Sequence, residues 1–121
     1  MANWKPEGWH SITTRLFVGD PAHLVTFLQR SFGAAGEYES ECPSELLIGD
    51  SHVMVSGTEV RKPTSAFFYL YVEDADEAFR LAMANGAICV QEPRTVPYGD
   101  RRAMIEDPAG NTWQIATRLR T

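Results

Sequence analysis

The chain repeats one pattern of apolar and turn residues, and this internal duplication constrains the fold more than any other feature of its 121 residues. A predicted strand, an aspartate, a helix and a glycine follow one another in two segments, TTRLFVGDPAHLVTFLQRSFGA (13–34) and FFYLYVEDADEAFRLAMANGA (67–87). Two predicted strands joined by a polar turn also occur twice, in LLIGDSHVMVSG (46–57) and AMIEDPAGNTWQIA (103–116). A further short extended piece is predicted near 36–40 in the first copy and 88–92 in the second. Each copy therefore reads β-α-β-β-β.

Both predicted helices carry start and stop signals at matching places. Asp20 and Asp74 suit the N-cap, because a carboxylate accepts hydrogen bonds from the free N–H groups of the first turn. Pro21 then occupies the first helical position, where its missing N–H has no cost. Gly33 and Gly86 are predicted to end the two helices.

Neither copy can bury its apolar face alone, so the two are predicted to pack together. The fold class predicted is α+β, with paired β-α-β-β-β modules that form a cupped mixed sheet with the helices outside. Residues 1–9 are expected to be an N-terminal arm, and residues 10–118 a single domain. Module one is placed at 10–60 and module two at 64–118, joined by the polar, proline-containing link 57–65.

Strand alternation assigns the side chains to two faces. The following are predicted to face the helices: Ile12, Thr14, Leu16, Val18, Val53, Val55, Phe68, Leu70, Val72, Trp113 and Ile115. The following are predicted to face the cup: Thr13, Arg15, Phe17, Met54, Ser56, Phe67, Tyr69, Tyr71, Gln114 and Ala116.

Charge and composition exclude several classes of function. The net charge of −5 and the scattered basic residues argue against a nucleic-acid partner. No apolar run approaches the roughly 20 residues of a membrane span, so no membrane partner is expected. MANWKPEGWH (1–10) has no apolar signal core, which predicts a cytoplasmic location. Cys42 and Cys89 are too few and too isolated for a thiolate metal site.

Two stretches, DPAGNTWQIA (107–116) and PYGDRRA (97–103), accompany the internal duplication. On these features the chain resembles the vicinal oxygen chelate superfamily. That superfamily includes glyoxalase I, ring-cleaving dioxygenases and bleomycin-resistance proteins, and the likeness is to the bleomycin-resistance or PhnB-like branch. It extends from about residue 10 to residue 118. The resemblance implies a cup that holds a divalent ion in the metal-dependent members, with ligands from the first and last strand of each module. It also implies a homodimer with ligand grooves between the subunits.

The family's metal-ligand positions, carried over by register, fall on residues that do not suit a metal. They are Thr13 and Phe67 in the first strands, with Gln114 and Met54 (or Ser56) in the last strands. Phenylalanine offers no lone pair, a thioether suits Cu(I) better than hard divalent ions, and one neutral amide does not hold such an ion. We therefore expect no metal and no other cofactor.

The residues at the other cup-facing positions are mainly aromatic residues and flexible, polarizable methionines, with a few polar groups. This mixture is usual in a small-molecule site. The predicted ligand-binding residues are Thr13, Arg15, Phe17, Met54, Phe67, Tyr69, Tyr71, Met104 and Gln114. Gln114 has a second interpretation, with equal support, in which it only satisfies backbone groups.

Other polar and aromatic residues fall outside this set. The histidines His10, His23 and His52 are expected at the surface. The charged residues Asp100, Arg101, Arg102 and Glu106, with Tyr98 beside them, are interpreted as an exposed charge cluster rather than an acid–base pair. Trp4 and Trp9 in the arm are expected to cover the pocket or a subunit interface.

The resulting hypothesis is a metal-independent protein that sequesters a planar aromatic natural product or antibiotic, with no catalytic residues. Its alternatives are a glyoxalase-like lyase or isomerase and a fold kept for assembly alone. The lyase or isomerase would need a carboxylate or imidazole at the cup floor, where the registers supply none.

Overall fold

Two helices and seven strands make up the part of the chain that the computed structural model describes, residues 4–59, 61–97 and 99–119. In chain order they are β1 (Thr14–Phe17), α1 (Pro21–Phe32), β2 (Ser44–Ile48), β3 (Ser51–Ser56), β4 (Phe67–Tyr71), α2 (Ala75–Ala84), β5 (Ile88–Thr95), β6 (Asp100–Glu106) and β7 (Thr112–Arg118). Tyr98 and the start of the predicted arm, residues 1–3, lie outside the described residues. The predicted α+β class is confirmed. Neither described helix has the length and apolar character needed to cross a membrane.

The strands form two mixed sheets with the same topology. The first sheet has the order β1-β3-β2, and the second has the order β4-β7-β6-β5. The first strand of each module pairs in parallel with the last strand of that module, and the remaining neighbours are antiparallel. This arrangement matches the duplication in the sequence, except that module one has one strand fewer.

The strand predicted near 36–40 does not form. Pairing in this region is limited to one bridge between Ala35 and Leu47. Gly36 follows with a φ of +116°, and a Cβ atom there would lie 2.4 Å from the carbonyl oxygen of Glu45. The chain therefore leaves the sheet edge in a conformation that only glycine accepts readily. In module two the equivalent strand β5 runs to Thr95, beyond the predicted end at residue 92.

Each helix begins at its predicted aspartate. The Asp20 side chain accepts a hydrogen bond from the His23 N–H at 3.2 Å, and Asp74 accepts one from the Glu77 N–H at 3.1 Å. α1 ends at Gly33, whose φ of 69° is left-handed. The two N-caps and Gly33 are as the sequence predicts, whereas α2 ends at Ala84 with Asn85 as its C-cap, one residue before the predicted Gly86.

A single hydrophobic core lies between the helices and one face of each sheet. α1 contacts α2, and the two modules meet at Trp113, whose ring centroid lies 5.0 Å from Phe32 of module one and 4.2 Å from Phe68. The predicted helix-facing side chains of the strands belong to this core or pack against it, except Ile12 and Thr14. Ile12 is 88% exposed because it precedes β1, where alternation has not yet begun.

The aspartate of the DPAGN motif is a structural residue. The buried Asp107 carboxylate accepts hydrogen bonds from the N–H groups of Ala109 and Asn111 and, at 2.8 Å, from the Trp113 Nε1–H. Asn111 Oδ1 in turn accepts the Ala66 N–H at 2.9 Å, just before β4. The motif thus sets the β6–β7 turn, fixes the core tryptophan and connects β7 to the first strand of its module.

Candidate functional site

The second sheet presents one face to the helices and the other to solvent, and we call the solvent side the tyrosine face. Cross-strand pairing arranges it in rows. One row runs Tyr69, Gln114, Met104, Gln91, and the next runs Tyr71, Ala116, Arg102, Arg94. Phe67, Tyr69 and Tyr71 are 63%, 42% and 52% exposed. Three aromatic rings along one strand therefore remain open, although apolar rings are normally covered.

A single carboxylate fixes two of these rings. Asp100, the first residue of β6, accepts hydrogen bonds from the hydroxyls of Tyr69 at 2.7 Å and Tyr71 at 3.0 Å. The two rings lie 5.3 Å apart, centroid to centroid, at 55° to each other. Both phenols are held by their far ends, so the rings stay in place while parts of their surfaces remain exposed.

The same contacts shift the acidity of the groups involved. The hydrogen bond from Tyr69 is the main cause that lowers the pKa of Asp100, with further help from Tyr71 and the positive charges of Arg118 and Arg102, against the effect of burial. The pKa of Tyr69 is raised, first by burial and then by its bond to Asp100, while Arg102 opposes the shift. At neutral pH Asp100 is thus a carboxylate and Tyr69 a protonated phenol.

Asp100 also corrects a sequence expectation. The sequence pattern predicts that it belongs to an exposed charge cluster, yet it is 9% exposed because the phenols cover it. Arg101 lies on the opposite side of β6, where its Nε and Nη2 donate to Asp76 at the start of α2. The same alternation that predicted Met104 to face the cup also places Asp100 and Arg102 there, so the missed residues had a readable signal.

Module one presents a smaller and more polar face. Arg15 Nε donates to Ser56 Oγ at 3.0 Å, and its guanidinium carbon lies 4.9 Å from the centroid of the Phe17 ring. Arg61 approaches the same ring at 5.9 Å. Arg15 also lines a cavity of about 450 Å³ whose far wall is the irregular segment 38–43.

The N-terminal arm covers part of this module. A cavity of about 430 Å³ is lined by Trp4 and Trp9 from the arm and by Thr13 and Met54 from the predicted set. Trp9 stacks on His52 with ring centroids 3.8 Å apart, so that this histidine is half-buried instead of lying on the open surface. The arm therefore packs on its own module, and Trp4 remains 78% exposed.

The nine predicted ligand-binding residues are divided between the two sheets. Thr13, Arg15, Phe17 and Met54 belong to module one, and Phe67, Tyr69, Tyr71, Met104 and Gln114 belong to the tyrosine face. Thr13 and Tyr69 meet in a cavity of about 210 Å³ between the modules, which Trp113 and His52 also line. Gln114 is half-buried between Tyr69 and Met104.

The positions that hold a metal in the family do not suit one here. Phe67 presents a ring, Thr13 a hydroxyl, Met54 a thioether and Gln114 a neutral amide, whereas a divalent ion needs several imidazoles or carboxylates. Within residues 4–59, 61–97 and 99–119, no three histidine, cysteine, aspartate or glutamate side chains come close enough together to bind an ion. The donor set of this chain therefore does not fit the family's metal.

Comparison with known proteins agrees with this fold. The sequence model of the glyoxalase/bleomycin resistance protein/dioxygenase superfamily matches residues 10–115. The chain belongs to this superfamily. A search of curated proteins finds no match.

Solved structures of other proteins repeat the fold over almost the whole chain. TioX from Micromonospora sp. ML1 is 26% identical with a TM-score of 0.78, and the match covers 91% of this chain and 99% of TioX. A superfamily enzyme from Burkholderia phytofirmans PsJN is 20% identical with a TM-score of 0.77, over 88% of this chain and 97% of that one. A gene product of Arabidopsis thaliana is 26% identical with a TM-score of 0.73, over 89% and 98%. The superfamily's two-module fold is thus common to all of them.

Proposed function

We propose that this superfamily member is a metal-independent binding protein that sequesters a planar aromatic small molecule, such as a natural product or antibiotic. The observation that carries the proposal is the tyrosine face, where Phe67, Tyr69 and Tyr71 stay exposed while Asp100 holds the two hydroxyls. Rings held in advance lose little freedom when a ligand binds, and this lowers the entropic cost of association.

The mechanism is stoichiometric capture. A flat ligand gains about 0.5–1.5 kcal/mol for each aromatic pair beyond the area that it buries. Met104, in the same row as Tyr69, adapts to its outline, because methionine is flexible and polarizable. Gln114, between Tyr69 and Met104, supplies hydrogen bonds that set its orientation. No step in this mechanism requires a metal or a bond to be broken.

The protein works as a cytoplasmic homodimer in this proposal. A two-fold interface uses one surface patch twice, and it would bring two tyrosine faces toward a common groove. The exposed Phe67 and Ile88 of the second sheet support this arrangement, since a single chain leaves both side chains uncovered.

The test is a binding screen with planar aromatic compounds, followed by calorimetry of any compound that binds. Tyr71→Leu keeps an apolar side chain of similar bulk but removes the ring, and we expect it to weaken binding about threefold to tenfold. Tyr71→Phe keeps the ring and loses only the hydroxyl that Asp100 holds, so it should weaken binding less than Tyr71→Leu does. Tyr38→Leu is the matched control, because Tyr38 is a similarly exposed tyrosine in the irregular segment of module one.

Added zinc, nickel or iron, or a chelator, should leave the affinity unchanged. Stoichiometric metal in protein purified without chelators, with turnover of a superfamily substrate, would contradict the proposal and favour a lyase or isomerase. Failure of every aromatic compound to bind would favour a role in assembly alone.

A further inference from the structure

Two arginines face each other on the tyrosine face. Arg94 of β5 and Arg102 of β6 are cross-strand partners, so both side chains project from the same side of the sheet. Residues paired in this way have Cβ atoms about 4.5–5.5 Å apart, and like charges there destabilise the sheet. The chain has 16 acidic and 11 basic residues, so this juxtaposition does not follow from an excess of basic residues.

The described residues leave this pair of charges without a bridging carboxylate. Their ion pairs are Arg80 with Glu77 and Arg101 with Asp76, both on the helix side. Asp100, the acidic residue nearest to Arg102 along β6 on the same face, instead accepts the hydroxyls of Tyr69 and Tyr71. Glu106 lies at the other end of β6, opposite Ile88.

Two polar atoms at this place are buried without a hydrogen-bond partner among the described residues. They are the Nε of Arg102, a donor, and the Oε1 of Gln91, an acceptor. Buried polar groups in folded proteins are normally paired, and each group left unpaired costs free energy. A ligand with a carboxylate oxygen would supply the acceptor that the Arg102 Nε–H lacks.

We propose that Arg94 and Arg102 bind the carboxylate of an aromatic acid whose ring lies against Tyr69 and Tyr71. This inference rests on the proposed function and makes its ligand specific: an anionic aryl carboxylate. The guanidinium carbon of Arg102 lies 5.9 Å from the Tyr69 ring centroid, so a carboxylate on a ring stacked at Tyr69 is within its reach. A guanidinium holds a carboxylate through two parallel N–H···O bonds, and the bound anion also relieves the repulsion between the two arginines.

The position of Asp100 is consistent with this assignment. Both phenols donate to its Oδ2, and the ion pairs among the described residues do not join it to Arg102. The Tyr71 row then places an aromatic ring, a small buried Ala116 and two cations side by side across the sheet. A planar aromatic acid fits this row, with its ring against the tyrosines and its carboxylate against the arginines.

The experiment compares two probes of nearly equal shape, 2-naphthoate and 2-naphthamide, by calorimetry with the full chain. We expect naphthoate to bind about tenfold or more tightly than naphthamide, because a carboxylate adds its negative charge to the hydrogen bonds from the guanidinium groups, whereas the amide offers a neutral oxygen. Raising the salt concentration should weaken naphthoate binding and leave naphthamide binding nearly unchanged.

Arg102→Gln and Arg94→Gln should each reduce naphthoate affinity and bring it toward that of naphthamide. Arg30→Gln is the control, since Arg30 is an exposed arginine in the last turn of α1. Circular dichroism and urea unfolding verify that each variant is folded. If an arginine variant does not fold, the salt dependence and the preference between the two probes in the unmodified protein decide the question.

The two proposals fail in different ways. Equal binding of both probes, or naphthoate binding that survives both substitutions, overturns the arginine assignment and leaves the aromatic binding function intact. Absence of binding by either probe and by every other planar aromatic compound overturns both.

Discussion

Asp100 is the residue on which the candidate site depends most. Its carboxylate accepts two phenol hydroxyls, and those bonds stabilise its charged form more than water would. The same bonds set the positions of Tyr69 and Tyr71. Folding stability and the shape of the tyrosine face are therefore linked through the ionisation of one side chain.

This linkage predicts a dependence of stability on pH. The pKa of Asp100 is lowered from its ordinary value of 3.8, so its contribution is complete above that value and is lost as the pH falls through the lowered pKa. Asp100→Asn should lose less stability between about pH 6 and pH 3 than the unmodified protein does, as measured by urea unfolding at each pH. The double variant Tyr69→Phe with Tyr71→Phe, which removes the donors, should show the same reduced dependence. An unchanged pH dependence in both variants would contradict the role given to this carboxylate.

The sequence predicted part of this site and missed the rest for an identifiable reason. Period-two alternation correctly put Tyr69, Tyr71, Met104 and Gln114 on one face. It could not show that the two phenols reach Asp100, because β4 and β6 are joined only through β7, which comes last in the chain. In the sequence DRR, Asp100 stands directly before two arginines, and this pattern is typical of solvent-exposed charge. Local patterns reveal which face a residue occupies, whereas its partners depend on strand order.

At the scale of elements, local sequence signals were sufficient to predict where a helix is capped. They were insufficient to predict a strand that must pair with another strand distant in the sequence. The aspartates before α1 and α2 cap as predicted, because capping needs only the next three residues. The strand expected near 36–40 is absent, since an extended segment becomes a strand only if a partner edge accepts it. Gly36 turns the chain away from β2 after a single bridge.

The β6–β7 turn should be among the most sensitive elements in the chain. Asp107→Ala would leave the backbone N–H of Asn111 and the indole Nε1–H of Trp113 buried without an acceptor. Each unpaired group costs about 1–3 kcal/mol. We expect a loss of about 3 kcal/mol or more in the free energy of unfolding, measured in urea. Asp50→Ala, in the exposed β2–β3 turn, should change it by less than about 0.5 kcal/mol. Equal losses in both variants would contradict the structural role assigned to the family motif.

At the scale of the whole molecule, the core accounts for one face of each sheet and leaves the opposite face of the second sheet uncovered. Phe67 and Ile88 stand at the two ends of one row across that face and are 63% and 60% exposed. Burial of apolar surface stabilises association by about 25 cal/mol for each Å², and a stable interface needs about 1,200–2,000 Å² in total. A second copy of the chain, placed on this face by a two-fold axis, would cover both ends of the row at once.

We therefore predict a homodimer whose interface includes this row. The double variant Phe67→Glu with Ile88→Glu should sediment with the mass of a single chain, because like charges would meet across the two-fold axis. Its stability as a monomer should change little, since both side chains are exposed within one chain. Met83→Glu, at an exposed apolar position on α2, should remain dimeric. A monomeric unmodified protein would contradict the prediction, and a dimer that survives the double substitution would locate the interface on another surface, such as the face of module one beside the tryptophan arm.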